Sequence, residues 1–365
     1  MRQLLFVLLL IPIFVTPGHA QSLYEQAGQE FGAAALEESL GEEERAISGS
    51  LSLDGSYDSG AALSRLWREL IERLRTELEE SMGFAAALLA VVLLCSMAVV
   101  LSGSEKLGEY IEICGVCAAA AILLNGADGL LSQTTQAMYR LSDYSKAALP
   151  VVFTAAAAGG AVGSAGAKYA AVSFGLDVLM SLSQKVIIPL IYAYLGVSLA
   201  NAVFPNAILG AAARLTKWTA TTAMTGMTIA FTAYVGMTGL ISSSLDASAI
   251  KAARAVISSA LPVVGGLISD ASATVLSAAG VIRNCAGVFG LVAVCAMCAG
   301  PFAFLTVKTL LLKAVAAVAD SVQSRRLSGL FSAIGGAAAM LMGLLGCCGI
   351  MLFVSFTTAM KAVTA

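Results

Sequence analysis

From Met82 to Leu101 the chain runs for about 20 residues without a charge, the length of helix that crosses roughly 30 Å of hydrocarbon. Lipid offers no partner to backbone N–H and C=O groups, so such a run has to satisfy them internally, as a helix does. Further apolar runs follow almost to the C-terminus. Across all 365 residues, 58% are hydrophobic and 12% charged, whereas soluble domains hold about 45–50% apolar and about 25% charged residues. These proportions exclude a soluble enzyme. The expected fold class is all-α, a polytopic membrane helical bundle.

The N-terminus has a different character. Met1-Arg2-Gln3 is a short positive start, Leu4 to Val15 is an apolar run interrupted by Pro12, and Gly18-His19-Ala20 places small residues where a signal peptidase inspects them. About 12 apolar residues are too few to span a bilayer and match a signal peptide. Residues 1–20 are therefore expected to be cleaved after Ala20, leaving residues 21–81 as a small exported acidic helical region. Residues 21–82 hold 14 acidic and 5 basic side chains, against 9 acidic and 15 basic in residues 83–365. Ser48 to Gly60, rich in Ser, Gly and Asp, reads as a joint. After it, Leu63, Leu66, Trp67, Leu70, Ile71, Leu74 and Leu78 form one apolar stripe of a helix. Arg65/Glu69, Arg68/Glu72, Glu69/Arg73 and Arg75/Glu79 can pair four residues apart on the other face. Two helices and a joint cannot build a core alone. The stripe has to lie on the bilayer, on the chain's own membrane part, or against another exported protein.

Little in the chain can carry covalent chemistry. The single histidine, His19, lies in the expected signal peptide, so the mature protein would have no imidazole for a triad, a metal site or a proton relay. Cys114-Gly115-Val116-Cys117 and Cys295-Ala296-Met297-Cys298 both have C-x-x-C spacing. Both lie in apolar runs, where cysteine serves as a small apolar residue. The Gly-rich stretch from Ala158 to Gly166 lacks the Lys-Ser/Thr of a phosphate loop. No enzymatic activity, metal or cofactor is expected. Asp128, Asp177, Lys185 and Asp270 fall in or beside apolar stretches. Such groups are costly in lipid, so they either line a polar path or mark the ends of spans.

Residues 82–146 read as two spans, Met82–Leu101 and Ile111–Leu131, followed by a polar connection from Ser132 to Lys146. The remainder reads as a duplication. Ala148-Leu149-Pro150-Val151-Val152 recurs as Ala260-Leu261-Pro262-Val263-Val264, an offset of 112 that also pairs Pro189 with Pro301 and Arg214-Leu215-Thr216 with Arg326-Leu327-Ser328. Residues 147–258 and 259–365 are the two expected copies. Each has a Gly/Ala-rich stretch (147–184, 259–285) and two strong spans (186–204 and 218–241; 286–307 and 329–356). Pro150, Pro189, Pro262 and Pro301 are candidate helix breaks. The basic clusters of the two copies, Arg214 with Lys217 and Lys308, Lys313, Arg325 with Arg326, occupy matching places. Both are expected to be cytoplasmic by the positive-inside rule, with Arg214 and Arg326 as candidate contacts for a partner. Small residues four apart, Gly159, Gly163, Ala167 and Ala171, and again Gly335, Ala339, Gly343 and Cys347, suit close helix packing.

A signal-like start, an acidic exported part, the recurrent Ala-Leu-Pro-Val-Val around Pro150 and Pro262, and the basic junctions at Arg214 and Arg326 together resemble the stage III sporulation protein AE family of endospore-forming bacteria. The resemblance covers nearly the whole chain. It implies a membrane subunit of a multiprotein channel or secretion complex between mother cell and forespore, set in the mother-cell membrane around the forespore. It also implies other membrane subunits and a separate secretion-type ATPase as partners, and no catalytic residues. Two other classes fit the residues alone. One is a secondary transporter with broken-helix repeats; the other is a passive membrane scaffold.

Overall fold

The structure is a computed structural model that describes residues 38, 40–48, 59–158, 162–260 and 265–361. The expected signal peptide, most of the acidic segment before Glu42, the joint between Gly49 and Asp58, and Pro262 lie outside the described residues. Within them every regular element is helical: α1 (Glu42–Ser48), α2 (Ser59–Ser102), α3 (Glu105–Ala158), α4 (Val162–Leu182), a π-helical turn (Ser183–Ile187), α5 (Ile188–Val203), α6 (Ala207–Ala260), α7 (Gly265–Ser321) and α8 (Arg325–Lys361).

Three helical hairpins meet at one end. Their turns are Gly103–Ser104 between α2 and α3, Phe204–Asn206 between α5 and α6, and Val322–Ser324 between α7 and α8. Gly103 has φ +60°, and Gln323 has φ +62°. Gln323 thus occupies the left-handed position that closes a helix, and the Ser324 amide donates back to the Ala319 carbonyl at 3.0 Å. The α7–α8 hairpin is central: α7 packs on α2 and α3, and α8 on α3, α5 and α6. Phe289, Phe331, Phe356, Leu88, Leu123, Leu141 and Tyr144 are fully buried between these helices. Close approach of α7 and α8 depends on Gly290. A Cβ built there would lie 2.6 Å from the Phe356 ring.

Five helical stretches are long and apolar enough to cross a membrane: 60–102, 105–157, 165–203, 284–321 and 325–360. Several far exceed one crossing. α3 has 54 residues, about 80 Å at 1.5 Å per residue, against roughly 30 Å of hydrocarbon. The expected boundaries at residues 82 and 147 accordingly fall inside uninterrupted helices. The polar stretch 132–146 is not a loop but part of α3. Its hydroxyls bond back to the helix, as Thr134 does to the Leu130 carbonyl at 2.8 Å and Ser145 to Ser142 at 2.6 Å. The stretch 218–241, expected as a strong span, lies in α6, whose described part is not among the five. It is rich in threonine, and Thr219, Thr221, Thr225, Thr228 and Thr232 each donate to the carbonyl four residues earlier, which hides much of their polarity.

The three candidate breaks within the described residues do not divide the chain into separate helices at a loop. Pro150 lies inside α3 and Pro301 inside α7. Before Pro189 the helix opens into the π turn, with the Ile188 amide donating to Ser183. The extra residue absorbs the clash that the ring would make with the preceding turn, so 165–203 runs as one rod rather than as a separate stretch and span.

Candidate functional site

Arg326 ties the three hairpins together. It sits at the second position of α8, and its guanidinium reaches both neighbouring hairpins. Nη2 donates to Glu109 Oε1 at 2.6 Å, Nε lies 3.4 Å from Glu112 Oε2, and Nη1 donates to the Val203 carbonyl at 3.3 Å. The Arg326 side chain is 18% exposed, whereas Glu109 is 62% exposed. Its charge is therefore occupied within the chain, and it also caps the last turn of α5.

Beside it lies a cavity of about 540 Å³ between α5, α6 and α8, lined by Tyr194, Ser198, Asn201, Arg214, Lys217, Arg325 and Arg326 among others. The structure thus brings together Arg214 and Arg326, 112 residues apart in sequence, on one face of the bundle. Their local settings differ. Arg214 is two turns into α6, whereas Arg326 opens α8. Two glycines shape the walls. A Cβ at Gly336 would lie 3.3 Å from the Tyr194 hydroxyl and 3.5 Å from Lys217 Nζ, so both polar tips converge above that glycine. A Cβ at Gly210 would lie 3.6 Å from an Arg214 guanidinium nitrogen and 3.8 Å from Asn201 Oδ1. Asn201 Oδ1 accepts from the Asn206 amide at 3.2 Å, and Asn206 Oδ1 accepts from the Ile208 amide at 2.9 Å, which caps the start of α6. Ser198 is 7% exposed, and its hydroxyl lies beside that of Tyr194. Among the described residues no acidic side chain lies within 4 Å of Arg214, Lys217 or Arg325.

Of the four candidate polar-path residues, two have described side chains. Asp177 and Lys185 are both exposed on the outside of the bundle. The side chains of Asp128 and Asp270 lie outside the described ones. A polar cavity of about 340 Å³ lies between α2, α3 and α7, lined by Arg73, Glu77, Gln133, Gln136, Arg140, Gly300 and Pro301. Pro301 has no N–H to give to the Met297 carbonyl, and both residues line this space.

The eight cysteines are free thiols, and no cluster able to hold a metal ion occurs among the described residues. Cys95 illustrates the packing role: its Sγ meets the Ile111 carbonyl at 3.5 Å, and a Cβ at Gly115 would collide with it.

The stripe on α2 is half-buried at Leu66, Leu70 and Leu74, and its outer edge is left exposed by the described residues. Leu63, Trp67, Ile71 and Leu78 are all exposed, with Trp67 at 63%. On the other face, Arg73 pairs with Glu69 at 2.7 Å and Arg75 with Glu79 at 3.1 Å. Because α2 continues without a break into the apolar run from Met82, the stripe cannot lie flat on the bilayer that the same helix crosses. At 1.5 Å per residue, Leu63 stands roughly 30 Å along the helix from Met82.

The family model for stage III sporulation protein AE matches residues 54–363. The chain belongs to the stage III sporulation protein AE family. It is 20% identical over 241 residues to the stage III sporulation protein AE of Bacillus subtilis (strain 168), a match that takes in 66% of this chain and 60% of that relative. The chain thus spans about 60% of the length of the curated relative it matches. No solved structure matches it. The family match begins before α2 and ends after α8, so the exposed stripe, the Arg326 anchor and the basic cavity all lie within the family's region. Sequence reasoning named Arg214, Lys217, Arg325 and Arg326 but did not pair Glu109 and Glu112 with Arg326. The available signal was Glu112 itself, an acid in an apolar run that needs a cation.

Proposed function

We propose that this chain is a non-enzymatic integral membrane subunit of a multiprotein sporulation channel between mother cell and forespore, resident in the mother-cell membrane, with its N-terminal region exported. The observation that carries this reading is the edge of Leu63, Trp67, Ile71 and Leu78, left exposed by the described residues on a helix that runs on into an apolar stretch long enough to cross a membrane. An apolar face held in water beyond the bilayer calls for a protein to cover it. A self-contained transporter has no need of such a face, whereas a subunit joined to other exported proteins does.

In a sporulating host, Trp67→Asp with Ile71→Asp is expected to leave abundance and membrane insertion unchanged. It should abolish co-purification of other sporulation proteins and cut spore yield by an order of magnitude or more. Normal spore yield and normal partner recovery would remove the basis for the proposal. Orientation is tested separately in a variant lacking native cysteines. A cysteine at Ala212 or at Ser324 is expected to resist impermeant thiol reagent added from outside, while one at Ser50 labels readily. Labelling of both junctions but not Ser50 would invert the proposed orientation.

A further inference from the structure

We propose that the basic cavity between α5, α6 and α8 binds the phosphate group of an anionic phospholipid drawn from the leaflet at the turn end of the bundle. This proposal does not depend on which assembly the chain joins.

Charge points to the ligand's sign. Arg326 is matched by Glu109 and Glu112, but Arg214, Lys217 and Arg325 line the same cavity with no carboxylate near them among the described residues. All three are exposed at the mouth, so solvent weakens their mutual repulsion, yet one anion in the cavity can meet all three at once. The donor set points to phosphate. Guanidinium groups offer planar, paired N–H donors that fit phosphate oxygens, and the Lys217 ammonium adds a point charge. Deeper in the wall the Ser198 and Tyr194 hydroxyls lie side by side, and either can donate to a phosphate or glycerol oxygen that enters. Gly336 leaves room for the tips of Tyr194 and Lys217, which a larger side chain there would displace.

Position favours a lipid over a dissolved ion. Leu215 and Trp218, next in sequence to Arg214 and Lys217, are exposed on α6, as is Ile208, two positions before the cavity's Gly210. An apolar outer face with a tryptophan beside a basic cavity is the setting of a membrane boundary. A headgroup in the cavity leaves its acyl chains against these side chains.

The test uses the full chain purified in phosphatidylcholine nanodiscs. Phosphatidylglycerol is expected to be retained in native mass spectra and to raise the melting temperature, while added phosphatidylcholine does neither. Arg214→Gln with Lys217→Gln is expected to lower phosphatidylglycerol retention about tenfold or more. Arg68→Gln with Arg75→Gln removes the same charge on the distant half of α2 and should leave retention unchanged. If the first double variant does not insert, Gly336→Leu replaces it, displacing the Tyr194 and Lys217 tips without changing charge, and the same loss is expected. Equal retention of the two lipids, or full retention in both the charge and the Gly336→Leu variants, overturns the proposal. Inorganic phosphate protecting as well as phosphatidylglycerol would make the occupant a free anion and overturn the lipid assignment. A glutamate-rich peptide that binds where phosphatidylglycerol does not would assign the cavity to an acidic protein segment, with the same consequence.

Discussion

Gly290→Ala is expected to destabilise the α7–α8 hairpin by about 2–3 kcal/mol, the upper part of the usual range for overpacking a tight core. The added Cβ would lie 2.6 Å from one edge carbon of the Phe356 ring and 2.9 Å from two others. That ring is fully buried and stacks at a tilt on Tyr144, with centroids 6.2 Å apart, so it has nowhere to go without moving a helix. Gly287, one turn earlier, also meets a neighbour closely, but that neighbour is the flexible side chain of Met360. Gly287→Ala should therefore cost less. Gly343 has nothing within 4 Å of its Cβ position, and Gly343→Ala is expected to be neutral or to stabilise by about 0.5–1 kcal/mol through helix propensity. The three variants are compared by detergent-induced unfolding of the purified protein. Gly290→Ala matching Gly343→Ala would show that α7 and α8 do not meet at this register. Phe356→Leu added to Gly290→Ala should recover part of the loss, because it removes the ring edge that collides.

Arg326→Glu is the second large effect expected. It would set a third carboxylate against Glu109 and Glu112 and leave the Val203 carbonyl without its donor. Breaking a buried ion pair by removing one partner costs about 3–5 kcal/mol. Glu109 is 62% exposed, so solvent screens its share and the lower end, about 3 kcal/mol, is the better figure. The expected result is a sharp fall in folded, membrane-inserted protein. Combining Arg326→Glu with Glu109→Arg and Glu112→Arg should restore much of it by reversing every sign in the contact. Arg214→Glu is expected to be tolerated for folding, since Arg214 has no ion pair among the described residues. Equal damage from Arg214→Glu and Arg326→Glu would contradict the division between an anchoring arginine and a cavity arginine.

The two arginines show where sequence reading reached its limit. Their equal spacing and flanking residues made them look equivalent, and both do border one cavity. Equivalence in sequence does not carry over to partners, because partners come from other hairpins. Arg326 falls opposite Glu109 and Glu112 on α3, and Arg214 falls opposite no acid among the described residues. The small-residue stripes behave similarly. Gly335 packs against Leu312, yet Gly343 on the same stripe faces open space, and the close approach to a buried ring, at Gly290, belongs to no stripe that spacing singled out. Spacing identifies which residues share a helix face. It does not say how close the neighbouring helix comes.

The sequence by itself determined that the chain is helical and membrane-spanning, because long uncharged runs leave backbone groups only one another to bond. Its basic junctions, its apolar stripe before Met82 and its family resemblance were equally legible, since each is a matter of residue type and local period. Tertiary structure alone decided that all three hairpin turns meet at one end, that the helices run far past a single crossing, and that the described residues leave one edge of the α2 stripe exposed. It also decided which charge is matched and which is left facing a cavity. These outcomes depend on contacts between residues some 100 to 200 positions apart, whose energies are set by distance and burial in the folded bundle rather than by any local pattern along the chain.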